Sequence, residues 1–431
     1  MTPEELADLI HEYRVPGAQL TVATGGDVRT VHAGELTIGT GEPVTDRSAF
    51  PIGSITKPFT ATLAMMLVAA GDVELDAPLV EYLPELGQAA RDAVTRMTLR
   101  QVLSHTSGLA SGVADEAYRT VLRAAWVAAN CREADLSHPA GTAFSYSGVG
   151  YVLAGHLIEV LTGMSWQQAI EQMLLRPIGI TPSFVVGLAM ARPDATGHTV
   201  HPGSGAILPV AGSTLAGVDA PEGALALSSA DLVAFVRAQL AAPAAPGALD
   251  AAWVAEMLRE QVPGDAAGPF GMADGWGLGW ARYHNDGTVW FGHDGAAAGA
   301  SCHLRFEPAS ATVIALTTNA SSGRALWERL RAEFDGKGPD PGPPVPGPAD
   351  AIGRYRNGDS VFTVDSALDG GLLLSVDGSP PAALTCRPGL EFGVADGTGR
   401  PDAFLGRFLR GKDNAAIDHI QVFGQLAVRA R

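Results

Sequence analysis

Apolar residues recur with helical spacing through much of the first 260 residues of the chain. The spacing begins between about Glu4 and Tyr13, and it returns after residue 54 in "LRQVLSHT", "AYRTVLRAAWVAANC", "GVGYVLAGHLIEVLTG" and "SADLVAFVRAQLAA". The segment "FTATLAMMLVAAG" is apolar on all sides but shorter than the ~20 residues that span a bilayer, so it predicts a buried helix. The region from about 54 to 260 is therefore expected to be mainly helical.

Alternating apolar and polar residues predict strands on both sides of this helical region. Near the N-terminus, "GAQLTVAT" and "VRTVHAG" flank a turn at Gly25 to Asp27, which predicts a hairpin. Later, "GWGLGWARY", a turn at 284–287, "TVWFGH", "GASCHLRFEP" and "ATVIALTTNA" precede a last helix, "GRALWERLRAEF". This order predicts an α+β domain whose antiparallel sheet is assembled from both ends, with the helices packed beside it.

The remainder of the chain has a different pattern. The segment "DGKGPDPGPPVPGPAD" is rich in proline and glycine, which is typical of an extended, semi-rigid linker. Short strands separated by turns follow it and predict a small all-β domain, such as a barrel. We therefore expect a first domain at 1–335, a linker at 336–350 and a barrel at 351–431.

Composition narrows the function classes. The 431 residues carry a formal charge of −17, which argues against nucleic acid and anionic membranes as partners, because both are polyanions. The N-terminus lacks the basic and apolar regions of a signal peptide, so a cytoplasmic protein is expected. The three cysteines and eleven histidines have no metal-ligand spacing, so we expect neither a metal nor a cofactor. Nothing in the pattern predicts an oligomeric state.

Lys57 draws attention because the chain has only three lysines among its 29 basic residues. Arginine stays protonated in proteins, whereas a desolvated lysine can lose its proton near neutral pH and act as a base. The alternative is an ordinary solvated lysine at the start of a helix. The choice between the two depends on the neighbouring residues.

Ser54 lies three residues before Lys57, so the two side chains would share one face of a helix that begins near Ser54. The N-terminus of that helix would also place backbone N–H groups near the serine oxygen. Pro58 would fall in the first turn, where its missing N–H costs little. The S-x-x-K spacing is the nucleophile motif of penicillin-recognising enzymes.

Several further segments extend this likeness. "VPGAQLTVAT", "FPIGSITKPFTATLAMMLVAAGDVELDAPLVEYLPEL", "LRQVLSHTSGL", "FSYSGVGYVLAGHLIEVLTG", "GWGLGW", "FGHDGAAAGA" and "VIALTTNA" occur in one order. Over about residues 4–335 the chain resembles the serine β-lactamase and penicillin-binding-protein superfamily, in particular its class C β-lactamase, esterase and D-aminopeptidase branch. The C-terminal part resembles, more weakly, the lipocalin-like barrel that some members carry.

The resemblance implies roles for individual residues. Tyr146 matches the catalytic tyrosine that would move the proton between the serine and the leaving group, with a core tyrosine as the alternative. His293 takes the place of the lysine in the family's third motif, with a structural histidine as the alternative. The backbone N–H groups of Ser54 and Ala296 would form the oxyanion hole, and Gly295 would keep the strand edge open to substrate.

Two departures from the family's motifs bear on the substrate. The second motif usually ends in asparagine, which binds the substrate amide, but here the position is Gly148. The third motif usually offers a lysine and a hydroxyl residue to an anionic substrate, but here the pair is His293 and Asp294. We expect an anionic substrate to bind poorly and Asp294 to favour a cationic or amine-bearing ligand. A true β-lactamase is therefore not expected.

Two other residues invite a catalytic interpretation. His105 could be a base, but we favour a structural turn after a helix, as in the relatives. Glu222 lies where the relatives have small residues at the rim of the cleft. It is expected either to contact substrate or to be solvated.

These observations predict a serine acyl-enzyme that cleaves an ester, thioester or amide, with Lys57 kept neutral by burial and by Tyr146 so that it can deprotonate Ser54. Its substrate would be a small molecule or peptide, either free or bound to a carrier protein. If water releases the acyl group, the protein is a hydrolase. If an amine does, it is a transacylase or a peptide-cyclising thioesterase in natural-product biosynthesis. The alternative from another class is a non-catalytic ligand-binding protein.

Overall fold

A computed structural model describes most of the chain. The described residues are 1–89, 94–112, 122–132, 136–186, 194–201, 204–210, 214–241, 248–262, 264, 266–285, 287–332, 342–395, 404–411 and 416–430. Several sequence predictions fall partly outside them: residues 117–121 of one helix, residue 242 of another, Asp286 of a turn, residues 333–334 of the last helix and residues 336–341 of the linker.

Four of the described helices begin with a capping box, namely those that start at Pro3, Leu99, Trp166 and Ser229. The first helix starts with a capping box, in which the Thr2 side chain accepts the N–H of Glu5 and Glu5 accepts the N–H of Thr2. The described helices are α1 Pro3–Glu12, α2 Thr56–Ala70, α3 Glu85–Ala89, α4 Leu99–Leu103, α5 Arg123–Asn130, α6 Gly148–Thr162, α7 Trp166–Ala169, α8 Ala220–Gly223, α9 Ser229–Leu240, α10 Ala251–Leu258 and α11 Gly323–Arg331.

The predicted apolar helix is α2, and its burial explains its composition. Most of its residues are buried, so it has no polar face to present to solvent. It is preceded by the 3₁₀ turn Gly53–Ile55 and ends at Gly71, whose φ of 82° is the left-handed conformation that closes many helices. Among the described residues, no helix combines the length and apolar character needed to cross a bilayer.

The main sheet is antiparallel and joins both ends of the N-terminal domain, so the α+β prediction is confirmed. In the described residues its strand order is β2-β1-β12-β11-β10-β9-β8. The hairpin β1–β2 pairs with the last strand, with Leu20 opposite Leu316. The strands of this domain are β1 Gly17–Thr24, β2 Asp27–Gly34, β3 Phe50–Pro51, β4 Ser183–Phe184, β5 His198–Val200, β6 Ile207–Pro209, β7 Leu225–Leu227, β8 Gly275–Trp276, β9 Ala281–Asn285, β10 Thr288–Ala297, β11 Ala300–Glu307 and β12 Thr312–Thr318.

The two faces of this sheet bury different cores. Leu304 and Val313 face the helical block that includes α2. Leu316 faces α1 and α11 and belongs to the same hydrophobic cluster as Trp327. Because neighbouring residues of a strand point to opposite faces, each side chain of β10 points to one face of the sheet or the other. This alternation decides which of its side chains reach the cleft.

After the linker, the described residues form a closed barrel of eight antiparallel strands, as the sequence predicted. Its interior is filled by residues such as Tyr355, Phe392 and Phe408. The strands are β13 Gly353–Asn357, β14 Ser360–Ser366, β15 Leu372–Val376, β16 Ala382–Cys386, β17 Glu391–Val394, β18 Phe404–Arg410, β19 Ile417–Val422 and β20 Gln425–Arg429.

Candidate active site

The turn that carries Ser54 packs directly against strand β10. A Cβ on Gly53, whose φ is 50°, would lie 2.2 Å from the carbonyl oxygen of Ala296. A Cβ on Gly295 would lie 1.9 Å from the carbonyl oxygen of Ile52. Glycine at both positions therefore allows the backbone of β10 to lie beside the nucleophile turn.

This packing corrects the role expected of Gly295. A side chain at that position would enter the turn before α2 rather than the open cleft, so glycine is needed for close packing and not for an open strand edge. The backbone of Ala296 borders the same turn. The oxyanion hole formed by the N–H groups of Ser54 and Ala296 stays a prediction, and this close approach favours it.

Lys57 is 1% exposed, and its ammonium group meets three hydrogen-bond acceptors. Its Nζ lies 3.2 Å from Ser54 Oγ, 3.0 Å from the carbonyl oxygen of Glu222 and 3.3 Å from the Glu222 carboxylate. An ammonium group has three protons to donate, and these acceptors match all three. The geometry therefore fits the protonated form of Lys57.

The prediction that Lys57 is neutral in the resting protein is wrong. Burial lowers the pKa of Lys57, but its interactions with Tyr146 and Glu222 outweigh burial and raise the pKa above the usual value. Burial of Lys57 and its contact with Tyr146 were expected from the sequence, whereas its contact with the Glu222 carboxylate was not. Lys57 must lose a proton before it can act as a base.

Tyr146 lies across the site, in the loop before α6. Lys57 Nζ is 5.1 Å from the centre of the Tyr146 ring, and the ring packs on His105 with 4.4 Å between ring centres. Burial raises the pKa of the Tyr146 hydroxyl, although Lys57 and Ser54 act in the opposite direction. Tyr146 is therefore a neutral hydroxyl in contact with both partners, as a proton shuttle requires.

The loop around Tyr146 is held by the residues beside it. The side chain of Ser147 caps α6 by accepting the N–H of Gly150, and it donates to the carbonyl oxygen of Ala110. Nδ1 of His105 accepts the N–H of Ser147, and burial lowers the pKa of His105 well below its usual value. His105 is thus a neutral supporting residue, consistent with the structural role favoured from the sequence.

Glu222 lies inside the site, with its side chain 27% exposed and paired with Lys57. Two glycines of α6 allow α8 to approach so closely. A Cβ on Gly155 would lie 2.1 Å from Pro221, and a Cβ on Gly148 would lie 2.0 Å from the Glu222 carboxylate. The carboxylate therefore occupies the space that a side chain at position 148 would take.

His293 faces the cleft from β10 and carries no charge near neutral pH. Its Nδ1 donates to the carbonyl oxygen of Asp294, and its ring centre is 5.6 Å from that of Trp276. Burial, and secondarily the charge of Lys57, lowers the pKa of His293 to about 3. A neutral ring therefore stands at the position where the resemblance implies a lysine.

Asp294 points to the opposite face of the sheet, so the prediction that it favours a cationic ligand in the cleft is wrong. Its carboxylate accepts two hydrogen bonds from Arg305, at 2.8 and 3.0 Å, and one from His303 at 2.8 Å. His303 in turn stacks on Trp327 of α11. The charge of Asp294 is matched on the far side of β10 from Ser54, as strand alternation requires.

The barrel reaches the loop of Tyr146 through two turns that the sequence did not single out. The carbonyl oxygen of Gly424, in the β19–β20 turn, accepts the N–H of Tyr146 at 3.0 Å. At the end of β13, Asn357 is 1% exposed. Its side chain donates to Ser145 Oγ and accepts the N–H of Ser111. Asn357 lies 212 residues along the chain from Ser145, so no local sequence pattern connects it with the site.

Comparisons with known proteins identify the family of the chain. The family model described as beta-lactamase matches residues 4–335. Penicillin-binding protein 4 of Amycolatopsis lactamdurans is 36% identical over 330 residues, covering 76% of this chain and 86% of the relative. The crystal structure of SurE superposes with a TM-score of 0.82 at 35% identity, covering 99% of this chain and 98% of that one. The crystal structure of SurE with D-Leu superposes with a TM-score of 0.80 at 34% identity, covering 99% of this chain and 99% of that one. The chain belongs to the beta-lactamase family, whose members are serine hydrolases.

Proposed function

We propose that the protein forms an acyl-enzyme at Ser54, taking the acyl group from an ester, thioester or amide. The observation that carries this proposal is the hydrogen bond between Ser54 Oγ and Lys57 Nζ, with Tyr146 in contact with both. A nucleophile, a base and a proton shuttle are the groups that acyl transfer requires. A protein that only binds a ligand has no need to keep a titratable lysine beside a serine.

The reactive form contains the neutral amine of Lys57. That amine takes the hydroxyl proton of Ser54 while Oγ bonds to the carbonyl carbon, and the carbonyl π electrons move onto oxygen. The intermediate then collapses, the bond to the leaving group breaks, and the proton passes from Lys57 through Tyr146 to the leaving group. A second nucleophile releases the acyl group by the reverse proton movements.

Water is the first candidate for that nucleophile, and an amine is the second. The likeness to SurE extends over nearly the whole of both chains, and one of the SurE structures is a complex with D-Leu. On this ground we propose D-configured aminoacyl groups as the substrate class, with release by hydrolysis or by transfer in small-molecule biosynthesis.

The neutral His293 argues against a penicillin-type substrate. A carboxylate would meet an uncharged ring where the relatives' motif has an ammonium group, and a charge-assisted hydrogen bond would be lost. We expect benzylpenicillin to give no adduct under conditions in which an activated acyl donor reacts.

Intact-protein mass spectrometry tests the proposal. Wild type and Ser54→Ala are mixed with the N-acetylcysteamine thioesters of N-acetyl-D-leucine and N-acetyl-L-leucine. We expect the wild type alone to gain the mass of the acyl group, and to gain it faster from the D-enantiomer. Added leucine amide then shows whether amide product or free acid is formed. Ligand binding without any adduct would overturn the proposal and identify the cleft as a receptor.

A further inference from the structure

The Glu222 carboxylate has two features that a purely structural ion pair would not need. It contacts the ammonium group of Lys57 at 3.3 Å, and its side chain remains 27% exposed, so the cleft can reach it. Lys57, by contrast, is almost completely buried. A ligand in the cleft can therefore compete for the carboxylate without first uncovering the lysine.

The space for this carboxylate is provided by Gly148. The resemblance implies an asparagine here, whose amide both donates and accepts hydrogen bonds. In this chain a Cβ at 148 would meet the Glu222 carboxylate at 2.0 Å, so a side chain at this position and the present placement of Glu222 exclude each other. An acceptor-only group has replaced an amide beside Lys57, and such a group suits an ammonium or N–H donor.

Among the described residues that face Lys57, Glu222 is the one that supplies a carboxylate. Burial raises the pKa values of Tyr146 and Tyr151 and so keeps these hydroxyls neutral. Burial lowers the pKa values of His105 and His293 and so keeps these rings neutral. The titratable groups facing Lys57 in the described structure are Tyr146 from the loop before α6, Tyr151 on α6, His105 after α4, His293 on β10 and Glu222 on α8.

We propose that Glu222 is a positioning residue that holds Lys57 protonated in the empty site, and that a substrate ammonium group pairing with Glu222 releases Lys57 to act as the base. The inference rests on the proposed acyl-enzyme function. A carboxylate within ~4–6 Å shifts a neighbouring pKa by about 1 to 3 units. A cation that takes up the carboxylate removes this effect and also repels the charge on Lys57.

The first experiment measures the acylation burst with 4-nitrophenyl acetate between pH 6 and about 12, so that the profile includes the raised pKa of Lys57. The variants are wild type, Glu222→Gln and, as a second removal of the charge, Glu222→Ala. Glu171→Gln is the matched control, since it removes a carboxylate that pairs with Arg176 outside the site. We expect the midpoint of the pH profile to fall by about one unit or more in both Glu222 variants, giving roughly tenfold faster acylation below the midpoint. The control should keep the wild-type midpoint.

The second experiment adds leucine amide, which carries an ammonium group at pH 7, or neutral N-acetyl-leucine amide. At pH 7, where leucine amide is charged, it should accelerate acylation of the wild type and leave that of Glu222→Gln unchanged, and the neutral amide should accelerate neither. Unchanged midpoints with a uniform loss of rate in the Glu222 variants would overturn the inference while leaving the acyl-enzyme intact. Absence of a burst in every protein would instead refute the proposed function.

Discussion

The two halves of the candidate active site are held by different parts of the chain. The half with Ser54 and Lys57 is fixed within the N-terminal domain, by backbone packing on β10 and by the contacts of Lys57 with Glu222. The half with Tyr146 also receives hydrogen bonds from the barrel, through Gly424 to Tyr146 itself and through Asn357 to the adjacent Ser145. The nucleophile is thus positioned independently of the barrel, whereas the proton shuttle is not.

This difference separates two chemical steps. In the proposed mechanism, formation of the bond to Ser54 depends on the lysine half, whereas departure of a poor leaving group depends on protonation by the tyrosine half. Substitutions in the barrel should therefore slow acylation by substrates with poor leaving groups more than acylation by activated esters. In the proposed mechanism the barrel would help to position Tyr146, although Asn357 lies 212 residues along the chain from Ser145.

The largest effect is expected from breaking the lysine half. Lys57→Met keeps a long unbranched side chain but removes the base, so acylation should fall about 10²- to 10⁴-fold for activated and unactivated substrates alike. Burst kinetics with 4-nitrophenyl acetate and with an alkyl thioester measure the two losses. A loss of less than tenfold with both substrates would show that another group deprotonates Ser54.

A smaller and selective effect is expected from the barrel side. Asn357→Ala removes the hydrogen bonds to Ser145 and Ser111, so Tyr146 should be less well placed and acylation by the alkyl thioester should fall about 10- to 100-fold. Acylation by the 4-nitrophenyl ester, whose leaving group needs no proton, should fall only a few-fold. Tyr146→Phe should show the same dependence on the leaving group, with a larger amplitude.

Tyr355→Phe is the matched control for this barrel variant. The Tyr355 hydroxyl donates to the carbonyl oxygen of Ala351 and accepts from the Arg429 guanidinium, so its loss should cost about 1 to 3 kcal/mol of stability without selectivity for the leaving group. If Tyr355→Phe and Asn357→Ala alter the two substrates equally, the barrel acts through stability alone and the comparison fails.

The sequence predicted the lysine half of this site better than the tyrosine half, for a physical reason. Ser54 and Lys57 are three residues apart, so the local helix brings them together, and the hydrophobic periodicity was enough to predict the α+β sheet and the barrel. The contacts of Glu222 and Asn357 depend on how distant elements pack. The close approach of the Glu222 carboxylate to Gly148 depends on the packing of α8 against α6, so no pattern in the neighbouring sequence indicates it.

One error could have been avoided from the sequence. The predicted strand "TVWFGH" ends at His293, and extending it by one residue would have placed His293 and Asp294 on opposite faces, because side chains alternate along a strand. Once His293 was assigned to the cleft, Asp294 could not also line it. The resemblance to a two-residue motif was applied to both positions, although the period of the strand allowed only one of them to face substrate.

The smallest effect on chemistry is expected from Asp294→Asn, which tests that assignment. Burial opposes the charge of Asp294, but Arg305 and His303 outweigh it and hold the pKa of the carboxyl well below its usual range. The carboxylate therefore stabilises the fold above the unfolded pKa of about 3.9, and this contribution is lost as the pH falls through the folded value. Because the side chain is 39% exposed, solvent screens the pairs, and we expect a cost of about 1 to 2 kcal/mol in urea unfolding at pH 7. The difference in stability between Asp294→Asn and wild type should shrink below about pH 4.

Acylation at Ser54 should change less than about threefold in Asp294→Asn, since the carboxylate lies on the face of β10 away from the cleft. A loss of amine transfer with unchanged stability would return Asp294 to the cleft.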